Sequence, residues 1–280
     1  SRLSTCHGWQ PPAPSGWQDL LDAELAQDIG GGDLSIHALN PDAPIRWMIE
    51  AQATGVACGV GAAAYVLQPC EVLVTDGDAV ADKTVIMRGE APCGWLLSRE
   101  RTGLNVLMHL SGVASLPRQY VDAVAGTQAR ITDTRKTLPG LRNLQKYATR
   151  CGGATNHRQG LHDGVMIKDN HIAACGSIAA AVARVRERVG HMVRIEVEAD
   201  RLEQVEEAVR ARADIVLLDN MSPDTMAQAV NQWGEQVVLE ASGGINLGTV
   251  RAAALSGVHV ISVGALTHSA PAFDAGLDAG

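Results

Sequence analysis

Lys168, Glu198, Asp219 and Glu240 each stand at or just after the C-terminal end of a short apolar, β-branched run. Together they offer an ammonium and three carboxylates, a set that can hold a divalent metal or stabilise developing positive charge. Glu196 precedes Glu198 by two residues, so on a strand both carboxylates face the same side and either can be the one in use. Upstream, Arg130 to His171 carries eight Lys and Arg residues against three Asp, a local charge of +5 inside a chain of net charge −8. A small polyanion would suit such a cluster; a solvated basic face would use the same residues.

Three stretches concentrate that charge. Asp133-Thr134-Arg135-Lys136 leads into Pro139-Gly140, which keeps the loop from continuing as a strand. Arg135 can bind a carboxylate or phosphate through two parallel hydrogen bonds, and Lys136 adds a compact point charge. Gly152-Gly153 precedes His157-Arg158, and Lys168-Asp169-Asn170-His171 follows an apolar run. Later, Ser242-Gly243-Gly244 and Val263-Gly264-Ala265 form glycine-bearing turns after two successive late strands. Barrels commonly bind a phosphate at that place through bare backbone amides. Neither a P-loop nor a dinucleotide-binding glycine fingerprint occurs.

The elements that must position these residues change character along the chain. Trp17 to Asp28 reads as an amphipathic helix stopped by Gly30-Gly31-Gly32, and the Pro-, Gly- and Ser-containing residues 1–16 are expected to be frayed. Strand-like runs at Arg46–Ala51, Glu71–Val74 and Thr84–Arg88 precede a helix over Ser98 to Leu110. From about residue 113, strands at 164–168, 192–198, 214–218, 236–239 and 258–263 alternate with helices near 177–189, 201–211, 223–232 and 247–255. Repeated β-α units imply a parallel sheet, closed as a barrel or open and doubly wound. Four strands presenting charge at the same end favour the barrel, whose C-terminal mouth gathers such residues.

Composition narrows the classes. At 280 residues, 46% hydrophobic and 19% charged, the chain is globular, of one large or two modest domains. Its negative charge argues against general affinity for nucleic acid or membrane surfaces. No apolar run reaches membrane-spanning length, and Ser1 to Pro14 shows no signal-peptide pattern. The six scattered cysteines contain no C-x-x-C pair, so reduced thiols in a cytoplasmic protein are expected.

Taken in order, these motifs resemble quinolinate phosphoribosyltransferase. Asp133-Thr134-Arg135-Lys136-Thr137, Asn156-His157-Arg158, Lys168-Asp169-Asn170-His171, Glu196-Val197-Glu198, Leu218-Asp219-Asn220 and the two glycine turns all take part, as do Gly32-Asp33-Leu34-Ser35 and Glu100-Arg101-Thr102-Gly103. Leu138 departs from the family pattern, which often has threonine there. The resemblance implies an α/β fold: an N-terminal α/β sandwich domain over 1–112 and an incomplete α/β barrel over 113–267, with the tail 268–280 returning to the first. It implies transfer of phosphoribosyl from phosphoribosyl pyrophosphate to quinolinate with decarboxylation, in de novo NAD synthesis. Arg101, Arg135, His157, Arg158 and Lys168 would hold quinolinate, with Arg101 reaching over from the partner of a homodimer or larger homo-oligomer. Lys136, Glu198 and Asp219 would serve catalysis, the two carboxylates near Mg²⁺ directly or through water. Ser242, Gly243, Gly244, Val263, Gly264 and Ala265 would cradle the 5′-phosphate. Two other readings share these residues: a transferase for nicotinate, which would leave one carboxylate-binding cation superfluous, and a metabolite-binding protein without catalysis.

Overall fold

The computed structural model describes residues 14–280, so the frayed start expected for residues 1–16 falls largely outside the described residues. In chain order the elements begin with α1 (Trp17–Ile29), β1 (Pro44–Ala51), β2 (Gly55–Val56), α2 (Val60–Leu67), β3 (Cys70–Val72), β4 (Ala79–Val80), β5 (Val85–Pro92) and α3 (Cys93–Ala123). Next come β6 (Arg130–Thr132), α4 (Arg142–Cys151), β7 (Val165–Ile167), α5 (Asp169–Cys175), α6 (Ile178–Arg186), β8 (Ile195–Ala199) and α7 (Leu202–Arg210). The chain closes with β9 (Ile215–Asp219), α8 (Pro223–Trp233), β10 (Val238–Ser242), α9 (Val250–Leu255), β11 (Val260–Ser262), α10 (Ala265–His268) and β12 (Ala275–Ala279). They fall into two compact units: 1–118 with 138–153 and 269–280, and 119–137 with 154–268.

The first unit is built on an antiparallel sheet in the order β12-β1-β5-β3. Alternation along β1 buries Trp47, Ile49 and Ala51 while their neighbours stay more exposed, the period of a half-buried strand. Against it lies α2, whose Val60-Gly-Ala-Ala-Ala-Tyr-Val-Leu67 sequence is apolar on nearly every side and is correspondingly buried. The C-terminal β12 joins the sheet beside β1, pairing Trp47 with Ala279 and Ala51 with Ala275.

One helix in this unit is far longer than its sequence suggests. The expected Ser98–Leu110 is the middle of a 31-residue α3 that starts directly after β5 and contains Pro117. Small and polar residues past Leu110 read as an end but are anchors. Ser111 Oγ accepts from the Cys58 N–H (3.0 Å) and donates to the Cys58 carbonyl (3.1 Å), so its burial costs no unpaired group. A Cβ at Gly112 would run into the Pro271 carbonyl, so glycine there permits close packing within a continuing helix. The change of pattern placed near residue 113 therefore falls inside α3.

The second unit is a six-stranded, wholly parallel sheet in the order β6-β11-β10-β9-β8-β7. Ile195, Val197 and Ala199 are buried on one side of β8, and the alternation sends Glu196 and Glu198 to the other. Successive helices pack beside one another, α6 on α7, α7 on α8 and α8 on α9. Two strands differ from expectation. The three-residue β6 is too short and too close to basic residues to carry a strand pattern. β10 runs from 238 to 242 rather than 236 to 239, which places Glu240 inside the strand instead of at its end.

Among the described residues no helix is long and apolar enough to cross a membrane. Their five cysteines are free thiols.

Candidate active site

A cleft of about 590 Å³ opens at the C-terminal ends of the parallel strands. Arg135, beyond β6, and Lys168, beyond β7, both line it, although β6 and β7 are the two edges of the sheet. Laid flat, six strands would separate those edges by about 24 Å at the usual ~4.8 Å spacing. The sheet is therefore curled into a barrel that the β6 and β7 edges leave unclosed.

Lys136, Glu198, Asp219, Arg135, His157, Arg158, Lys168, Ser242, Gly243, Gly244, Val263, Gly264 and Ala265 all line this cleft. Arg101 does not; it lies exposed on α3, in the first unit.

Cations reach the cleft from the strand ends at both edges of the sheet. Lys168 follows β7 directly, and its Nζ donates to Glu198 Oε2 at 2.8 Å. Arg158 donates from Nη1 to the Gly164 carbonyl at 3.0 Å. Burial and the charge of Arg135 hold the Arg158 guanidinium below its ordinary pKa. Arg135 Nε is buried with no hydrogen-bond partner among the described residues. A buried donor left in that state calls for an acceptor, and two neighbouring guanidinium groups call for an anion.

Two glycine turns bring backbone to the same cleft. Gly243 and Gly244 have φ of 90° and 63°, and a Cβ at Gly243 would strike Asn220. Asn220 is itself left-handed at φ 54°; its N–H donates to the Ser242 carbonyl and its amide to Asp219 Oδ2, at 2.9 and 2.8 Å. Only glycine permits that approach. At the neighbouring turn a Cβ on Gly264 would meet the Lys136 side chain. Lys136 is held at both backbone ends: its N–H donates to Thr134 Oγ1 (3.0 Å) and its carbonyl accepts from Thr267 Oγ1 (2.8 Å).

The carboxylates come from β8 and β9. Burial and the negative charge of Glu198 push the Asp219 carboxyl above its usual range, opposed by Asn220, Lys168 and Lys136. Glu196, the alternative to Glu198, lies deeper. It is 3% exposed, and its Oε2 accepts from His157 Nε2 at 3.0 Å; Glu240 Oε1 stands 3.5 Å from the same nitrogen. Of the two β8 carboxylates, Glu198 is therefore the one that faces the cleft.

One further residue shapes the site without having been given a role from sequence. Asp133 is fully buried and accepts from the His157 N–H (2.8 Å) and from Asn156 Nδ2 (2.6 Å), tying β6 to the segment that carries His157 and Arg158. Its position at the head of the Asp133–Lys136 motif was the available signal. Glu240, expected at the mouth, does line the cleft, but from within β10 and buried beside His157.

Family models for quinolinate phosphoribosyl transferase match residues 33–111 with the N-terminal domain and 113–278 with the C-terminal domain. The chain belongs to the quinolinate phosphoribosyl transferase family. Within it, the chain is 42% identical over 268 residues to the probable nicotinate-nucleotide pyrophosphorylase (carboxylating) of Bacillus subtilis strain 168, covering 92% of each. It is 44% identical over 265 residues to the protein of the same description from Synechocystis sp., covering 91% of this chain and 89% of that one. The crystal structure of nicotinate-nucleotide pyrophosphorylase from Ehrlichia chaffeensis superposes with a TM-score of 0.90 at 39% identity, over 95% of this chain and 99% of that one. The quinolinate phosphoribosyl transferase fold thus extends over nearly the whole chain.

Proposed function

We propose that this chain is a cytoplasmic quinolinate phosphoribosyltransferase: it joins phosphoribosyl pyrophosphate to quinolinate, giving nicotinate mononucleotide, pyrophosphate and CO₂ in de novo NAD synthesis. The observation that carries the reading is one cleft lined both by two guanidinium groups, with Arg135 Nε unpartnered among the described residues, and by two glycine turns. The first suits a dicarboxylate and the second a phosphate.

In this reading Arg135, Arg158 and Lys168 hold the acceptor's carboxylates; His157, expected among them, stands in the same cleft with its ring nitrogens engaged by Glu196 and the Arg158 N–H, and Arg101 of the partner subunit completes the set in a homodimer or larger homo-oligomer. Ser242, Gly243, Gly244, Val263, Gly264 and Ala265 hold the 5′-phosphate, and Lys136 faces the pyrophosphate. The ring nitrogen's lone pair forms the bond to the anomeric carbon as the carbon–oxygen bond breaks and its electrons leave with pyrophosphate. Positive charge that builds on the ribose is stabilised by Glu198 and Asp219. Fixing the nitrogen against that carbon supplies much of the rate. Loss of the neighbouring carboxylate as CO₂ follows, with a proton taking its place on the ring, and no residue is assigned to it.

Glu198 and Asp219 offer hard oxygen donors at neighbouring strand ends, and burial with the charge of Glu198 raises the proton affinity of Asp219, which suits Mg²⁺ directly or through water. Bound there, the cation would offset the charge of the pyrophosphate.

Incubation with Mg²⁺, phosphoribosyl pyrophosphate and quinolinate tests the reading by product identity. Nicotinate mononucleotide with equimolar CO₂ is expected. Quinolinate binding without product would favour the metabolite-binding alternative.

A further inference from the structure

At the inner end of the cleft, Glu196 on β8, Glu240 on β10 and His157 from the segment between α4 and β7 come together, and the transfer reaction as proposed gives Glu196 no part. Glu196 and Glu240 are each 3% exposed, and both approach His157 Nε2. The three ligand atoms lie within 4.8 Å of one another, a spacing that would also fit a metal ion. Hydrogen bonding argues otherwise. His157 Nδ1 accepts from the Arg158 N–H at 2.8 Å, so Nδ1 carries the lone pair. A neutral imidazole then has its proton on Nε2, where it is donated to Glu196 and is closed to a metal.

Both ring nitrogens are thus committed inside the protein. Glu196 fixes the ring from below, and the ring in turn holds the backbone from which Arg158 reaches the cleft. Asp133 grips the same segment through the His157 N–H at 2.8 Å. We infer that Glu196 is a positioning residue for the acceptor's carboxylates, acting through His157 on Arg158. This rests on the reading that Arg135 and Arg158 bind those carboxylates. Losing the acceptor at Glu196 frees the imidazole to rotate, removes the bond to the Arg158 N–H and loosens the guanidinium above it.

The test compares Glu196→Gln, which keeps an oxygen acceptor for Nε2–H, with Glu196→Leu, which does not. Steady-state kinetics of the full chain with both substrates are read beside thermal melts. Glu196→Leu is expected to raise the quinolinate KM about tenfold while the phosphoribosyl pyrophosphate KM stays within about twofold; Glu196→Gln stays within about threefold for both. An unchanged quinolinate KM in Glu196→Leu, or equal rises for both substrates, overturns the inference even if the melting point falls. Should Glu196→Leu not fold, the ¹⁵N shifts of His157 in the wild-type enzyme decide it. A protonated Nε2 with an unprotonated Nδ1 is expected, and the opposite tautomer overturns it. Wild-type enzyme that makes no nicotinate mononucleotide would instead refute the transferase reading on which the inference stands.

Discussion

Lys168 Nζ lies 2.8 Å from Glu198 Oε2, an ion pair between the ends of β7 and β8 at the cleft. The proposed function gives the two members different partners, the acceptor for Lys168 and the donor for Glu198. The Lys168 side chain is 47% exposed, so the pair contributes at most about 1 kcal/mol to stability. Glu198→Ala is therefore expected to lose at least about a hundredfold in turnover while its melting temperature moves by less than about 3 °C. A large drop in melting temperature with modest loss of turnover would make the pair structural.

Arg135 Nε is a buried donor with no partner among the described residues. Its replacement removes a charge-assisted bond to the acceptor worth about 1.5–3 kcal/mol, or roughly 10- to 150-fold. Arg135→Ala should raise the quinolinate KM by that factor and lower turnover, leaving the phosphoribosyl pyrophosphate KM within about twofold. Wild-type quinolinate kinetics would remove Arg135 from the site.

At Gly243, φ is 90° and a Cβ has Asn220 in its way. Gly243→Ala must shift the turn or strain it by about 1–3 kcal/mol. Its effect should fall on the donor: a phosphoribosyl pyrophosphate KM raised about tenfold or more, with quinolinate affinity measured by direct titration largely retained. Loss confined to quinolinate would refute the phosphate cradle.

Burial, reinforced by the charge of Glu196, pushes the Glu240 carboxyl from 4.5 up to about 7, against the pull of His157 and Ser262. The folded protein thus holds this proton more tightly than the unfolded chain. Its stabilising contribution is complete below pH 4.5 and is lost as pH rises toward 7, a change on the order of 3 kcal/mol for a shift of this size. Glu240→Gln has no proton to lose. The melting temperature of the wild type minus that of Glu240→Gln should therefore fall between pH 5 and pH 8; a constant difference would contradict the buried, protonated state.

How much of this was legible depends on what each residue's neighbours reveal. Lys168 and Asp219 stand out because an apolar run ends on them, and the two glycine turns because nothing else places glycines after successive strands. Glu196 and Glu198 could not be ranked, since a period of two sends both to one side and depth depends on where β8 ends, at Ala199. Glu240 was placed at the mouth because β10 reads as ending at Leu239, whereas it continues through Ser242 beside Asp219. The length of α3 was hidden by Ser111 and Gly112, whose roles depend on Cys58 and Pro271, residues remote in sequence. Local pattern marks strand ends and turns well; it carries no information about long-range partners.

The most direct test of the central claim is acceptor discrimination, measured as kcat/KM for quinolinate and for nicotinate with phosphoribosyl pyrophosphate and Mg²⁺. A cleft built around two carboxylates leaves buried cations unpaired when one carboxylate is missing, and such sites discriminate by about 10⁴-fold or more. The account predicts a preference for quinolinate of that order. Comparable values for the two acids would contradict it and make the second guanidinium superfluous.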